Sequence, residues 1–260
     1  MPKYIYSLPN LLIILLTILV IEIFSHWVPP FLELIYPLNP TGETIKISQL
    51  LAPLLGATVG VLIGFLLNQA QSNFQAASAL VASEASQINN LDRLLLRFGD
   101  DDSLKVRSLL KDYLESVIRS EWPKLKFEQG CKDTHMLWRS ISQKIFKLEP
   151  ASPKQVAIYS DILNVAESVS EAREVRIDRS TQKLPAIFWF AILFVFLGIS
   201  SLTSLATPGA ELSFAKKVFP VVYGSLLGLL IIFDQPFKGS TSVKSTSLEK
   251  VLESIKTRME

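Results

Sequence analysis

The sequence predicts an all-α integral membrane protein with four transmembrane helices and a helical cytoplasmic domain inserted between spans two and three. The first observation is composition: 49% of the 260 residues are hydrophobic and the mean hydropathy is +0.33, which is too apolar for an ordinary soluble domain. The second is four apolar runs, each close to the ~20 residues that a helix needs to cross a bilayer. The third is the helical spacing of apolar residues between the second and third runs.

The four runs form two pairs. The first run is too long for the apolar part of a signal peptide, so we interpret it as a retained membrane helix that ends at Trp27, an aromatic residue suited to the interface. The prolines between positions 29 and 40 then predict a loop, and Thr207–Gly209 predicts a tight turn between the last two spans. The predicted organisation is a transmembrane hairpin over 1–68 (spans about 8–28 and 50–68), a cytoplasmic helical domain over 69–183, a second transmembrane hairpin over 184–237 (spans about 184–206 and 213–233) and a cytoplasmic amphipathic tail over 238–260.

The second span carries a row of glycines. Gly56, Gly60 and Gly64 recur every four residues and Asn68 continues the row, so all four lie on one face of a helix. In lipid, such small residues allow another backbone to approach closely. The row therefore indicates either a groove for helix packing or the smooth, narrow wall of a pore.

The predicted cytoplasmic domain begins as an extension of the second span. Apolar positions from Phe74 to Phe98 alternate steps of three and four residues, and neither proline nor glycine occurs between Gly64 and Gly99. One helix should therefore run from the second span to Phe98. The following helices are predicted over 104–122, capped through Asp102 or Ser103 and ended by Pro123, over 136–148, and from Pro153 behind Ser152 onward into the third span.

Glu84 interrupts the apolar seam between Val81 and Ile88, where an isolated carboxylate would be costly to bury. The helix that leads into the third span offers two arginines, Arg173 and Arg176. Their depth along the helices, at ~1.5 Å per residue, favours a buried Glu84–Arg173 pair, with Arg176 as the second choice. The alternative is a twist of the seam that turns Glu84 to solvent. In a channel, the arginine left unpaired would attract anions.

Two ionisable residues lie within the first span. Glu22 and His26 are one helical turn apart and share a face. Charged groups inside a membrane usually face a bundle interior or water and mark a pathway, here one for protons. The alternative is that both lie near the outer interface, where they reach water or pair locally.

Basic residues predict the orientation. With an even number of spans, the N-terminus, the middle domain and the C-terminus share one side, and that side carries most of the lysines and arginines near the membrane. We therefore expect a multi-pass protein of the plasma membrane with both termini and the middle domain in the cytoplasm. The residues on that side are Lys3, Arg173, Arg176, Arg179, Lys183, Lys238 and Lys244, against Lys46, Lys216 and Lys217 on the other.

Several functional classes lack support in the sequence. The net charge of +2 gives no reason to expect a nucleic-acid partner, and the single cysteine excludes an internal disulfide. Two histidines far apart make a metal site unexpected. Since no phosphate loop, nucleophile elbow or zinc-ligand helix occurs, we expect neither an enzyme nor a bound cofactor.

A series of short motifs carries a family resemblance. It comprises Ser83–Ala85, Tyr113, Glu121–Trp122–Pro123, Trp138, Pro150, Ala172–Arg173, Arg176, Leu184–Pro185, Trp189, Asp234, Pro236–Phe237 and Gly239. The chain resembles the bestrophin-like membrane proteins that are catalogued as a domain of unknown function. The resemblance spans roughly Leu50 to Gly239, and Gln235 departs from it, since the family more often has a basic or aromatic residue there.

The resemblance implies four spans around a helical cytoplasmic domain and a kinship with bestrophins, which are oligomeric anion channels. It therefore implies a homo-oligomer in the lipid bilayer that conducts small anions. Bestrophins hold calcium with an acidic cluster after the last span, whereas only Asp234 precedes the basic tail here, so we do not expect calcium gating. The alternatives are a non-conducting scaffold or sensor that acts through the cytoplasmic helices, and a transporter that uses Glu22 and His26.

Overall fold

The computed structural model describes residues 8–35, 41–206 and 213–260, which are helical with no β-strand among them. The predicted all-α class is thus confirmed for this part of the chain. The helices are α1 (Asn10–Ile35), α2 (Gly42–Phe98), α3 (Asp101–Ser116), α4 (Trp122–Leu125), α5 (Lys132–Ile145), α6 (Pro153–Thr181), α7 (Ala186–Ala206), α8 (Ser213–Asp234) and α9 (Thr246–Thr257), and a π-helical segment, Val117–Glu121, lies between α3 and α4.

The described residues divide into two compact units. The membrane unit comprises 1–73, 183–235 and 239–241, and the helical unit comprises 74–182, 236–238 and 242–260. Among the described residues, four helical stretches are long and apolar enough to cross a membrane, judged by length and composition. They are Asn10–Val28, Gly42–Phe98, Pro153–Thr203, which contains α6 and α7 with a non-helical break at 182–185, and Lys217–Asp234.

The first helix is longer than the sequence indicated. The prediction that it ends at Trp27 is wrong, because α1 continues through Pro29 and Pro30 to Ile35. A proline lacks the donor for one helical hydrogen bond, but its fixed φ is itself helical. The predicted loop is therefore much shorter, since α2 already begins at Gly42. Residues 36–40 and the predicted turn at Thr207–Gly209 lie outside the described residues.

In the membrane unit, α1 and α8 approach each other through glycines. A Cβ atom on Gly224 would lie 2.6 Å from the Cα of Ile18, and one on Gly228 would lie 2.9 Å from the Cα of Ile14. The hydroxyl of Thr17 donates a hydrogen bond of 2.9 Å to the carbonyl of Gly224. This close contact follows the small-xxx-small rule for membrane helices, although no contact was predicted from the sequence at these two glycines.

The helical unit begins with the long seam of α2. Ala77, Val81, Ile88, Leu91 and Leu95 are buried there. The prediction of one helix through to Phe98 is confirmed, and the helix ends where Gly99 takes a φ of +78° that favours glycine.

The cap of the next helix is one residue earlier than predicted. Asp100, rather than Asp102 or Ser103, caps α3, because its side chain accepts a hydrogen bond of 2.7 Å from the backbone N–H of Ser103.

The end of α3 differs from the prediction because Pro123 does not terminate the helix. A π-helical segment follows α3, in which the N–H of Trp122 reaches the carbonyl of Val117, and Pro123 then lies in the first turn of α4. In a regular α-helix, the ring of Pro123 would clash with the backbone carbonyl of the preceding turn. The π segment moves that carbonyl away from the ring. It also turns Glu121, its last residue, into the core, where its exposure is 0%.

The later helices also differ in part from the sequence-based bounds. The start of α6 at Pro153, behind the Ser152 cap, is confirmed. The expected continuation of this helix into the third span is wrong, because residues 182–185 are not helical. Pro185 disfavours helical geometry at the preceding residue, Leu184. Within the membrane unit, the carboxylate of Asp234 accepts a hydrogen bond of 2.7 Å from the N–H of Leu184.

We expect Gly224→Ala to destabilise the protein by about 1–3 kcal/mol, because the new methyl group would force the backbones of α1 and α8 apart. Gly198→Ala in α7 is the matched control, since a Cβ there meets no atom within 4 Å. Thermal unfolding in detergent measures both variants. Equal melting temperatures for the two would contradict the close contact of α1 and α8.

Candidate functional site: a buried ionic cluster and an open glycine row

Four charged side chains meet in the core of the helical unit. This ionic cluster consists of Glu84, Glu121, Arg173 and Arg176, all of them buried. Arg176 donates to Glu84 through Nε (2.7 Å to Oε2) and Nη2 (3.2 Å to Oε1), and its Nη2 also donates to Oε1 of Glu121 at 2.9 Å. Arg173 donates to both oxygens of Glu121, with its Nε 3.2 Å from Oε1. Two arginines and two carboxylates make the cluster neutral.

The cluster joins three segments that are distant in sequence. Glu84 comes from the seam of α2, Glu121 from the π-helical segment, and both arginines come from one face of α6, where a spacing of three residues places them one turn apart. Each arginine therefore reaches a carboxylate on a neighbouring helix, and the cluster ties the three segments together.

The preferred partner of Glu84 was assigned incorrectly from the sequence. Arg176, the second choice, bonds Glu84, whereas Arg173 bonds Glu121. Depth along the helices did not determine the pairing, because a second carboxylate, Glu121, lies in the same core and bonds Arg173. Glu84 has an exposure of 0%, so the alternative in which it faces solvent is also wrong. Both arginines are paired, and neither is left to attract anions as an unpaired charge.

Aromatic and backbone groups surround the cluster. The ring of Trp122 lies 5.5 Å from the Arg176 guanidinium, a cation–π distance. The backbone N–H of Cys131 donates to Oε2 of Glu121 at 3.1 Å, and Nδ1 of His135 lies 3.5 Å from Nη1 of Arg173. Tyr113 packs against Trp138 with ring centroids 5.1 Å apart.

The charges hold the acidic residue of the π segment ionised. Burial acts to raise the pKa of Glu121, but the hydrogen bond from Arg173 and the charges of Arg176 and Arg173 outweigh burial, so this pKa lies below its ordinary value of 4.5. Burial raises the pKa of the Tyr113 hydroxyl above its ordinary value of 10.0, so this group stays neutral. Within the described part of the chain, the Tyr113 hydroxyl and Nη1 of Arg176 have no hydrogen-bond partner.

A second buried charged group was missed from the sequence. Asp92 accepts hydrogen bonds from Nε of Arg107 (2.8 Å) and from Nε of Arg258 (2.9 Å), and Arg258 also donates to Asn89 at 2.7 Å. These contacts attach the end of α9 to α2 and α3. The signal was present, because Arg107 lies at helical spacing between Ser103 and Leu110 on the apolar face of α3.

The motif residues of the C-terminal region fix local geometry. In the helical unit, the ring of Phe237 lies 5.9 Å from that of Trp122, and the carbonyl of Pro236 accepts a hydrogen bond of 2.8 Å from the N–H of Val243. In the membrane unit, Gly239 takes a φ of +84°, and Trp189 packs against the apolar core.

The glycine row of α2 is open within the chain. A Cβ atom on Gly56, Gly60 or Gly64 would meet no atom of the described residues within 4 Å, and Asn68 is exposed. Packing against another helix of the same described chain therefore does not explain the row. The row is therefore a free surface of the described chain, open to lipid, to another chain or to a pore.

Glu22 and His26 do not form a pair among the described residues. Oε2 of Glu22 is buried and has no hydrogen-bond partner there, while His26 is exposed and lies edge-on to Trp27 at 6.2 Å. Within the same described ranges, no three His, Cys, Asp or Glu side chains come together to hold a metal ion.

A bestrophin-like domain, defined by a protein-family model, matches residues 20–248. The chain belongs to the bestrophin-like family. Its fold agrees with solved structures of a bestrophin homologue from Klebsiella pneumoniae. One point mutant superposes with a TM-score of 0.64 at 15% identity over 93% of this chain and 98% of that chain. A second mutant gives 0.66 at 14% identity over 95% and 98%. No curated protein matches the sequence.

Removing one arginine from the cluster should strongly lower the free energy of unfolding of this bestrophin-like chain. Arg176→Ala leaves Glu84 buried without its cation, and we expect a loss of about 3–5 kcal/mol in the free energy of unfolding. Arg179→Ala, one turn away on α6, is the control and should cost less than about 1 kcal/mol, because among the described residues the Arg179 side chain bonds the half-buried Gln182 and no carboxylate. Denaturant titration followed by circular dichroism measures both; similar losses would refute a stabilising role for the cluster.

The depressed pKa of Glu121 predicts a pH dependence. The charge of Glu121 stabilises the fold above its ordinary pKa of 4.5, and this contribution is lost as the pH falls through the folded-state pKa. Glu121→Gln should therefore be less stable than the wild type near neutral pH, and the difference should narrow on acidification. Melting temperatures over a pH series test this, with the exposed Glu174→Gln as control. A difference that does not change with pH would count against the assignment.

Proposed function

We propose that the protein is an oligomeric membrane channel for small anions in which α2 lines the pore. The observation that carries the proposal is the glycine row, because Gly56, Gly60 and Gly64 face open space in the isolated chain. Family membership supports the same function, since bestrophins are oligomeric anion channels. Several copies around an axis would place these rows opposite one another and enclose a narrow passage.

The three faces of α2 suit such an arrangement. One face packs inside the chain through Val59, Ile63 and Leu66, which are buried. A second face exposes large apolar side chains that suit lipid or a neighbouring subunit. Its members are Leu50, Leu54, Val61 and Phe65. The glycine row lies between these two faces at 100° per residue. Small side chains there leave room for an ion, whereas the large apolar face would close a pore.

The charge pattern favours anions over cations. Between Glu43 and Glu84, α2 contains no acidic residue. Cation channels commonly use rings of carboxylates, and such a ring has no source along this stretch. At the C-terminal end of the glycine row, the exposed side chains of Asn68 and Gln71 provide amide hydrogen-bond donors.

For the topology, we propose the four spans, the domain boundaries and the orientation that the sequence predicts. The helical unit, corresponding to most of 69–183, and the tail would lie in the cytoplasm of a plasma-membrane protein with both termini inside. The excess of lysine and arginine on that side supports this orientation. Within the helical unit, the ionic cluster holds the extension of α2 against α6.

The test is reconstitution. Purified protein is assigned a subunit number by native mass spectrometry, and currents are recorded in planar bilayers with asymmetric chloride. We expect an oligomer whose reversal potential follows the chloride gradient. An oligomer without current, or a monomer, would overturn the proposal in favour of a non-conducting scaffold.

A matched pair of variants tests the pore wall. Gly60→Leu should reduce the current to baseline, since each subunit adds a bulky apolar group to the constriction. Val61→Leu, on the neighbouring exposed face, should conduct as the wild type does. Both variants are compared at equal subunit number. Unchanged conductance in Gly60→Leu would exclude the glycine row as the pore wall.

A further inference from the structure

The membrane unit contains a partly open cavity of about 310 Å³ where α1, α7 and α8 meet. Its walls include Ile13, Thr17 and Ile21 from α1, Ile192 and Phe196 from α7, and Tyr223 from α8. Ligand pockets in proteins begin at roughly 300 Å³, so the cavity is large enough for a small ligand. It does not include the glycine row of α2.

The cavity has a structural cause. Gly224 and Gly228 hold α8 in backbone contact with α1, as described above. On the other side, the ring of Phe196 stacks on Tyr223 with centroids 5.0 Å apart, which keeps α7 at the distance of an aromatic pair. One neighbour of α8 is therefore very close and the other is held away. The gap between α1 and α7 cannot close without breaking one of these contacts.

The walls of the cavity are apolar and favour an apolar ligand. Both hydroxyl groups in the lining are already bonded: Thr17 donates to backbone carbonyls of α1 and α8, and Tyr223 donates to the carbonyl of Ile192 at 2.8 Å. Water in a cavity needs two to four polar partners, and apolar cavities of roughly 150 Å³ already bind small hydrocarbons. A hydrocarbon group therefore fits the walls better than water does.

The shape and the entrance favour a chain-like molecule. On α1 the lining runs from Ile13 to Ile21, about 12 Å along the helix axis. The entrance is bordered by Leu16, Val20 and Leu193, which are 39%, 48% and 45% exposed on helices long and apolar enough to span a membrane. A helix from another copy is about 10 Å wide and cannot enter a space of this volume. The hydrocarbon chains of the surrounding bilayer can.

One end of the cavity carries groups suited to a polar head. Trp189 contributes to the lining, and tryptophan is enriched at the membrane interface. One turn before Ile13, Asn10 bonds both Thr241 and Ser240, the latter donating to Asn10 at 2.6 Å. Because Asn10 precedes Ile13 on α1, these amide and hydroxyl groups are closest to the Ile13 end of the lining, where we place the head of an amphiphile.

We propose that this cavity is a binding site for one acyl chain of a bilayer lipid, whose head lies at the Asn10 end. The site is separate from the proposed pore and does not depend on conduction.

The test is photolabelling of the full-length protein in detergent-free phosphatidylcholine vesicles, doped with a phosphatidylcholine that carries a diazirine near the end of one acyl chain. Labelled positions are mapped by peptide mass spectrometry. Ile192 and Phe196 are 3% and 1% exposed, so only a chain inside the cavity can label them. We expect labels at these two residues in addition to the lipid-exposed surface.

Leu16→Trp fills the entrance, and Leu15→Trp places the same side chain on the adjacent, lipid-facing position of α1. Excluding two or more methylene groups should reduce the labelling of Ile192 and Phe196 by roughly tenfold in Leu16→Trp and leave it unchanged in Leu15→Trp. If Leu16→Trp does not fold, Val20→Phe against Leu19→Phe replaces the pair. Labels confined to exposed residues such as Phe194, or equal labelling of the buried residues in both variants, would overturn the proposal.

Discussion

Arg176 is fully buried, and the helical unit depends on how its charge is balanced. A guanidinium removed from water is tolerable only when carboxylates accept its hydrogen bonds, and here Glu84 and Glu121 both do so. Arg173 then supplies the second positive charge that Glu121 requires. Because each of the four groups is paired with a group on a different segment, α2, the π segment and α6 cannot shift independently.

The backbone irregularity before α4 follows from the same requirement. In a regular α-helix, Pro123 would meet the carbonyl one turn earlier, and the side chain of Glu121 would point in another direction. The π segment Val117–Glu121 relieves the first problem and directs the carboxylate to both arginines. A local departure from ideal helix geometry is thereby offset by a buried charge network. Trp122, the next residue, covers the guanidinium of Arg176.

The membrane unit uses glycine in two different ways. The space beside Gly224 and Gly228 is occupied by α1, and a methyl group at either position would collide with backbone atoms of that helix. Gly56, Gly60 and Gly64 have the same spacing but face open space. The same four-residue spacing of glycines thus has two uses. In α8 it forms a contact inside the chain, and in α2 it leaves a surface that we propose is used by other copies or by ions. The cavity beside α8 is a further consequence of the first use, since close contact on one side leaves a gap on the other.

The sequence by itself determined the helical class, the membrane location, the family and the long seam of α2, because apolar periodicity and run length report on burial directly. It also placed a carboxylate at Glu84 that required a cation. Only the tertiary structure decided which arginine pairs with Glu84, because the pairing depends on Glu121, a residue of a third segment. The π turn sets the direction of the Glu121 side chain, and such a turn leaves no periodic signal in the sequence. The pairing of Asp92 with Arg107 and Arg258 was decided in the same way. These features depend on contacts between segments distant in sequence, and local pattern contains no distance between them.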